Sequence, residues 1–566
     1  MARDLIGVKP IWFSFSNNKL AFSSERKVLV SLGFLNIYEL NPRHILIYDV
    51  KSGKINYDEI KFFNIKPELQ EDYNILKNKL KGLLISSVAK RIPDSKFGIL
   101  FSGGVDSSLI AFICKELGIY FKCYVGTVSG FGDSEDLRYA RKAAKLLNVP
   151  LVEGVVPLKD VEKYLSKVLP LIESNNVVKA GVALTFFAAC EKAKKDGIRV
   201  ILSGVGSEDL FAGYKRHIMA SDINKDCLSG ILKIYERDLY RDDVVTMANN
   251  LELRVPFLDK KLVDFALKIP ANLKYDGAVK KKILRECAAE LGLAKEIAFR
   301  KRRAAQYGSN FDKAIEKLAK KNNKNKSAYL LQFFKPTDVK LGVLFSSGKD
   351  STYAMQIMKQ QNYKISCLIS LESLNKDSYM FHTPNISLVK TQAKCLGLPL
   401  VLQETKGVKE DELKDLEKAI KNARDKFGIE GVVTGAVYSN YQRERIEKIC
   451  DRLSLKIFSP LWYYDQENLL RELLRNKFKI VISSIACDGL SEKWLGREID
   501  LEAVDELVKL NKKIGMNVAG EGGEYESLVL DCPMFVSRIE IVTAFKKMDS
   551  EFSGRFDVKK VKLIKK

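Results

Sequence analysis

Two short stretches of this sequence open in the same way. In GILFSGGVDSSLIA, residues 98–111, and in VLFSSGKDSTYA, residues 343–354, an apolar run ends in serine, small residues follow, and Asp-Ser starts a helical pattern. The phenylalanines that close the two runs, Phe101 and Phe345, stand 244 positions apart. A buried strand, a small-residue loop and a helix in that order open a parallel α/β unit. A chain that does this twice contains two such units in tandem, and every other segment has to be fitted around them.

The loops themselves suggest their ligand. They comprise Ser102, Gly103, Gly104, Asp106 and Ser107 in the first copy, and Ser346, Ser347, Gly348, Lys349, Asp350 and Ser351 in the second. Small residues let backbone N–H groups come close to an anion, the helix N-terminus adds partial positive charge, and hydroxyls donate further bonds. A phosphate group fits such a cradle. The second loop is nevertheless not a triphosphatase P-loop, which requires G-x-x-x-x-G-K followed by Ser or Thr. Here five residues separate Gly342 from Gly348, and Asp350 follows Lys349. Asp106 and Asp350 suit either helix caps or Mg2+ bridging them to phosphates.

At 566 residues the chain has room for about three to four domains. Residues 1–70 alternate short aromatic and aliphatic runs (PIWFSF, KLAFSS, HILIYDV, KINYDEI) with turn residues, the pattern of a small antiparallel β segment. Residues 71–319 read as the first α/β domain, nearly all helical in period beyond about residue 220. The stretch KKNNKNKSAYLLQFF starts rich in Lys and Asn, so residues 320–337 are expected as an exposed linker. Residues 338–566 form the second α/β domain. The fold class expected is α/β, with two tandem doubly wound parallel sheets preceded by a β-rich piece.

Composition narrows the setting. Lys plus Arg exceed Asp plus Glu by 94 to 71, a net charge of +23 that favours acidic partners such as ATP, RNA or an acidic protein. Ten cysteines occur without any C-x-x-C pair, the usage of a reduced interior rather than a secreted disulfide scaffold. The N-terminus has no signal-peptide pattern, and no apolar run approaches the roughly 18 residues that cross a bilayer, so a cytoplasmic location is expected.

Both loops resemble the S-G-G-x-D-S pyrophosphate loop of the PP-loop ATP pyrophosphatases. That likeness implies ATP as the nucleotide, an adenylated carbonyl or carboxyl oxygen, and release of AMP and pyrophosphate. Residues 83–318 resemble the synthetase domain of the asparagine synthetase family. The likeness rests on SGVGSEDLFAGYKRH (203–217), LELRVPFLDKKLVDFALKIP (251–270) and KKKILRE, in which Lys281 precedes Leu284-Arg285. It implies that Gly204 shapes a second phosphate loop, that Glu208 and Asp209 hold Mg2+, and that Lys281 neutralises charge on the triphosphate. Family members carry the acidic pair in the order Asp-Glu, the reverse of this chain. Glu173, in LIESNN, matches the glutamate that assists ammonia attack. Residues 1–60 are similar to the end of a class II glutaminase domain, whose nucleophile is a cysteine at position 2; here that position is Ala2. The resemblance therefore implies free ammonia or a separate ammonia source.

Residues 340–540 resemble the diphthine-ammonia ligase family in four blocks: SSGKDSTYA, SYMFHTPN (378–385), TGAVYSNYQRERIEKICDRLSLKIFSPLW (434–462) and NVAGEGGEYESLVLDCP (517–533). The family has glycine where this chain has Ser347. The blocks add Gly435, Gln442, Arg445 and His382 as binding candidates. Glu521, Glu524 and Glu526 surround a glycine pair, a layout suited to Mg2+ or to an incoming ammonium. The resemblance implies a carbon–nitrogen ligase that turns diphthine on elongation factor 2 into diphthamide with ATP and ammonia. Two other readings are open: a PP-loop enzyme that modifies tRNA, and an N-terminal half that binds or scaffolds without reacting.

Overall fold

The fold was read from a computed structural model that describes the chain except residues 17–18, 35–36, 62, 221, 302–303, 335–338, 374–387 and 407–410. Five strands come first. β1 (Trp12–Ser16) pairs antiparallel with β2 (Lys19–Ser23) and β3 (Ile37–Glu39), and β4 (His44–Asp49) forms a hairpin with β5 (Lys54–Glu59). These strands are fastened to the residues that follow. Trp12 meets the Tyr240 ring edge-on at 5.3 Å, and Lys9 pairs with Asp243 at 2.6 Å. The β-rich piece thus belongs to one compact unit, Met1–Pro336; a second unit spans Thr337–Lys566.

The first unit is built on five parallel strands: β6 (Phe97–Leu100), β7 (Lys122–Val128), β8 (Leu151–Val156), β9 (Val200–Leu202) and β10 (Glu252–Arg254), in the order β10-β9-β6-β7-β8. Phe97, Ile99 and Leu100 are all buried, as a strand covered by helices on both sides must be. From β6 the chain first moves to β7 on one side and later returns to β9 on the other. The crevice outside the carboxyl ends of β6 and β9 is therefore the switch point at which such sheets bind ligands.

The second unit repeats this plan with β11 (Lys340–Leu344), β12 (Lys364–Ser373), β13 (Leu400–Thr405), β14 (Gly431–Val433) and β15 (Lys456–Phe458), all parallel, in the order β13-β12-β11-β14-β15. Cys367, Ile369 and Leu371 join a buried cluster with Leu416, Ile420 and Ile446. Leu368 between them joins another, with Tyr353, Met355 and Leu470. Alternate residues of a strand point to opposite faces, so this sheet is covered on both.

Three features depart from the sequence expectation. An antiparallel sheet of β16 (Lys479–Ala486), β17 (Tyr525–Asp531), β18 (Ser537–Ser550) and β19 (Ser553–Lys565), ordered β17-β16-β19-β18, completes the second unit. Strand β8 separates two helices where none was read. The expected linker is partly folded: helix Lys326–Leu330 buries Tyr329 and Leu330 beside Leu165 and Phe311, and the Tyr329 hydroxyl donates to Glu162 at 2.5 Å. The Lys- and Asn-rich start masked an apolar pair that docks on the first unit. Among the described residues no helix is long and apolar enough to cross a membrane.

Candidate active sites

The first loop runs from β6 into α1 (Val105–Glu116), with Gly104 as its N-cap. Gly103 takes φ +67°, and a Cβ there would lie 2.4 Å from the Tyr139 carbonyl oxygen, so only glycine fits. The Ser107 hydroxyl accepts the Ser102 N–H at 3.3 Å and closes the turn. The loop after β9 presses against it: a Cβ on Gly204 would stand 2.8 Å from Cβ of Asp106. The two loops expected to share one phosphate site therefore do meet.

Lys281 stands at their junction and is 3% exposed. Its Nζ donates to both Asp106 oxygens at 2.9 Å and to Ser207 Oγ at 3.0 Å, and it pairs with Glu208 at 2.7 Å. Lys281 adopts φ +57°, a conformation that costs a non-glycine residue about 1–2 kcal/mol. Three hydrogen bonds and an ion pair from one ammonium offset that cost. Leu258 of the PFLD stretch packs on Gly206, where a Cβ would come within 2.4 Å of it, and so buttresses the second loop.

Two expected residues lie apart from this cluster. Asp209 is turned away from its neighbour Glu208 and receives Arg216 and Arg237, each at 2.8 Å. Glu173 caps helix Val161–Ile172 at φ +49° and accepts the Tyr240 hydroxyl. Burial pushes its carboxyl up, against the pull of Tyr240, Arg26 and Lys27. It is not among the partners of Lys281.

In the second unit α2 (Lys349–Gln360) follows β11 with Gly348 as N-cap. Ser347 occupies the turn position of Gly103, at φ +70°, and its hydroxyl is wholly buried without a hydrogen-bond partner. The Ser351 hydroxyl stands 3.3 Å from that of Ser346. Gly435, just beyond β14, lets its loop approach α2, since a Cβ would fall 2.6 Å from the Ser351 nitrogen. Lys349 is buried; its Nζ donates to Asp350 at 2.7 Å and to the Ala519 carbonyl at 2.6 Å. Burial works against its charge, but Asp350, Tyr525 and Glu521 outweigh it and raise its pKa.

The three glutamates of GEGGEYE have different tasks. Glu524 accepts Asn517 N–H at 2.8 Å, Asn517 Nδ2 at 2.6 Å and Gly522 N–H at 2.8 Å, which closes its own loop. Glu521 faces the cradle: burial and the Asp350 charge push its carboxyl up to about 7, while Lys349 pulls it down. Glu526, on β17, is exposed to solvent and feels the charges of Lys349 and Asp350. The structure thus sets Glu521 beside Lys349 and Asp350, leaves Glu526 exposed, and ties Glu524 into the loop. Gln442 and Arg445 lie in the first two turns of helix Asn440–Arg452, which starts where the loop after β14 ends. In the same helix Arg443 pairs with Glu447 at 2.8 Å. His382 lies outside the described residues.

Among the described residues no three of His, Cys, Asp and Glu stand close enough to hold a metal ion. Mg2+ commonly takes one or two protein carboxylates and completes its shell with phosphate oxygens and water. Glu208 and Asp106 in the first site fit that demand. Asp350 fits it in the second, where its Oδ1 is buried without a hydrogen-bond partner.

The sequence reading passed over several residues that build these loops. Arg300 donates to the Ser102 carbonyl at 2.7 Å and to Asp136 at 3.0 Å while lying over the Tyr139 ring at 3.8 Å. In the second unit Ser527 Oγ accepts the Lys349 N–H at 3.2 Å, and Gln466 holds both the Asn517 side chain and the Ala519 N–H at 2.9 Å. Arg300 sits in the run FRKRR, where nothing in the local pattern separates it from its neighbours.

Comparisons with known proteins divide at the same place. The asparagine synthase family model matches residues 79–226 and 219–337. Those for the diphthamide synthase N-terminal and C-terminal domains match residues 339–457 and 465–564. A Methanocaldococcus jannaschii protein assigned as a glutamine-hydrolyzing asparagine synthetase is 36% identical over 374 residues, covering 57% of this chain and 68% of that protein. The diphthine–ammonia ligase of Mus musculus is 36% identical over 231 residues, covering 38% of this chain and 86% of its own. The human one is 34% identical over 220 residues, covering 36% and 82%. The chain therefore belongs to two families of ATP-dependent ligases, the asparagine synthetases through its first unit and the diphthine–ammonia ligases through its second.

Proposed function

We propose that the second unit converts the carboxylate of diphthine on elongation factor 2 into the amide of diphthamide, consuming ATP and ammonia and releasing AMP and pyrophosphate. The observation that carries this reading is Lys349, at the head of the cradle, which joins Asp350 to the Ala519 carbonyl of the acidic loop beside Glu521. A carboxylate is a poor electrophile, and its oxygen must first be adenylated. The cradle N–H groups and hydroxyls hold the departing pyrophosphate, and Lys349 offsets charge that builds there. Mg2+, held by Asp350, would supply further charge neutralisation on the phosphates. Glu521, titrating near neutral pH, takes a proton from ammonium so that ammonia attacks the acyl carbon. The excess of basic residues favours encounter with an acidic partner.

For the first unit the proposal is an adenylating site of the asparagine synthetase type, with Lys281, Asp106 and Glu208 around the phosphates. The engagement of Asp209 by two guanidiniums favours a second reading, in which this unit binds nucleotide without completing amide formation.

Purified chain given ATP, ammonium and diphthine-bearing elongation factor 2 should yield AMP and the amide in equal amounts. ADP as product, or no amide, refutes the proposal. Lys281→Ala should abolish any ATP–pyrophosphate exchange supported by the first unit and leave diphthamide formation intact; exchange that persists unchanged favours the binding-only reading.

A further inference from the structure

In the second cradle the Ser347–Gly348 peptide is gripped from its carbonyl side. The Ser347 oxygen accepts Gln392 Nε2 at 3.1 Å and the Val529 N–H of β17 at 3.2 Å. The same Gln392 nitrogen donates to the Val529 carbonyl at 2.8 Å. Gln392 comes from helix Val389–Leu396, is wholly buried, and ties the cradle to the antiparallel sheet. A trans peptide is planar, with its C=O and N–H pointing in opposite directions. Holding the Ser347 carbonyl toward Gln392 and β17 turns the Gly348 N–H away from them, to the opposite side. That side is where an anion can enter.

The first cradle solves the same problem one peptide earlier and with different chemistry. Arg300 Nη1 donates to the Ser102 carbonyl at 2.7 Å, so the Gly103 N–H is turned to the opposite side. Arg300 is itself fixed by Asp136 and by the Tyr139 ring, from the helix whose backbone excludes a side chain at Gly103.

We infer that Gln392 in the second unit and Arg300 in the first are positioning residues: each pins one carbonyl of its cradle and thereby presents the next N–H to pyrophosphate. The inference rests on reading these loops as pyrophosphate cradles. Neither residue touches the ligand. Each acts through a rigid peptide, so its loss weakens phosphate binding more than the binding of ammonia.

The test titrates pyrophosphate calorimetrically into the full chain, wild type and Gln392→Met, and measures the KM values of diphthamide formation. Methionine keeps the length of the side chain and removes both N–H donors. A free N–H that no longer faces its anion forfeits a charge-assisted bond, so one pyrophosphate site should weaken about tenfold or more. KM for ATP should rise in parallel, with KM for ammonium unchanged. A lowered melting temperature with unaltered pyrophosphate affinity would make Gln392 merely structural and overturn its role. Arg300→Met and Arg300→Lys supply an independent arm: lysine restores one donor to Ser102 and should recover most of the affinity that methionine loses. Equal affinity of the two Arg300 variants overturns that half. Wild-type protein that binds no pyrophosphate sinks the cradle reading itself, a different result from variants that match the wild type.

Discussion

Ser347→Gly should stabilise the second unit. Ser347 holds φ +70°, which costs a side-chain-bearing residue about 1–2 kcal/mol. Its buried hydroxyl lacks a hydrogen-bond partner, a further cost of about 1–3 kcal/mol. Against these stand the extra backbone entropy of glycine in the unfolded chain, about 0.5–1 kcal/mol, and loss of the packing of one small side chain. The net expectation is a gain of about 1–3 kcal/mol. Ser347→Ala separates the terms, because it removes the hydroxyl and keeps the left-handed backbone; it should recover less than glycine, by about 1 kcal/mol. Hydrogen exchange of the backbone over residues 345–352, measured under conditions of reversible opening, reads local stability without requiring the chain to unfold in one step. A glycine variant that exchanges faster than wild type would refute the strain argument. If the alanine and glycine variants are equally protected, the backbone conformation costs no more than the entropy that glycine adds to the unfolded chain. Retention of serine would then reflect its hydroxyl, and the glycine variant should show a raised KM for ATP.

Other perturbations test the cradle and its acidic loop. Lys349→Met leaves Asp350 without its ion-pair partner in a buried site and should cost about 3–5 kcal/mol, part of which returns in Lys349→Met/Asp350→Asn; a double variant no more stable than the single one contradicts this, by denaturant titration. For Glu521 the folded carboxyl is raised from 4.5 to about 7, so the folded state binds the proton more tightly and stability falls as pH climbs through that window. Glu521→Gln should therefore add about 1–3 kcal/mol at pH 8 and little at pH 4.5, in metal-free buffer; a pH-independent difference is the contrary outcome. Loss of ionised Glu521 should also lower the amidation rate of the wild type below about pH 7. Glu524→Ala withdraws the acceptor of three N–H groups, so limited proteolysis should cut between residues 517 and 524 faster than in Glu521→Ala; equal rates would deny Glu524 its structural task.

Much of the site could be read along the chain because the relevant contacts are local. A serine, small residues and Asp-Ser at the mouth of a helix announce an anion cradle, since backbone N–H groups and helix polarity depend on neighbours in sequence. The two parallel sheets follow from fully apolar strands alternating with helices, and Ser351 against Ser346 is a contact within one turn. The antiparallel sheet was harder to read: β18 and β19 mix buried with exposed positions and carry bulges that break strict alternation. Helix Lys326–Leu330 was obscured by the polar residues in front of it.

What the sequence by itself determined is the chemistry available: two loops built like phosphate cradles, a lysine near each, and acidic residues nearby. Only the tertiary structure decided where those acids go. Glu208 turns to Lys281 while Asp209 goes to Arg216 and Arg237; Glu521 lies beside Lys349 and Asp350 while Glu524 closes its own loop. The physical reason is that a charged side chain settles where a counter-charge or N–H donors relieve its desolvation. Lys281 reaches Asp106 across 175 positions, Arg300 reaches Ser102 across 198, and Gln392 reaches Val529 across 137, distances that no local pattern can register.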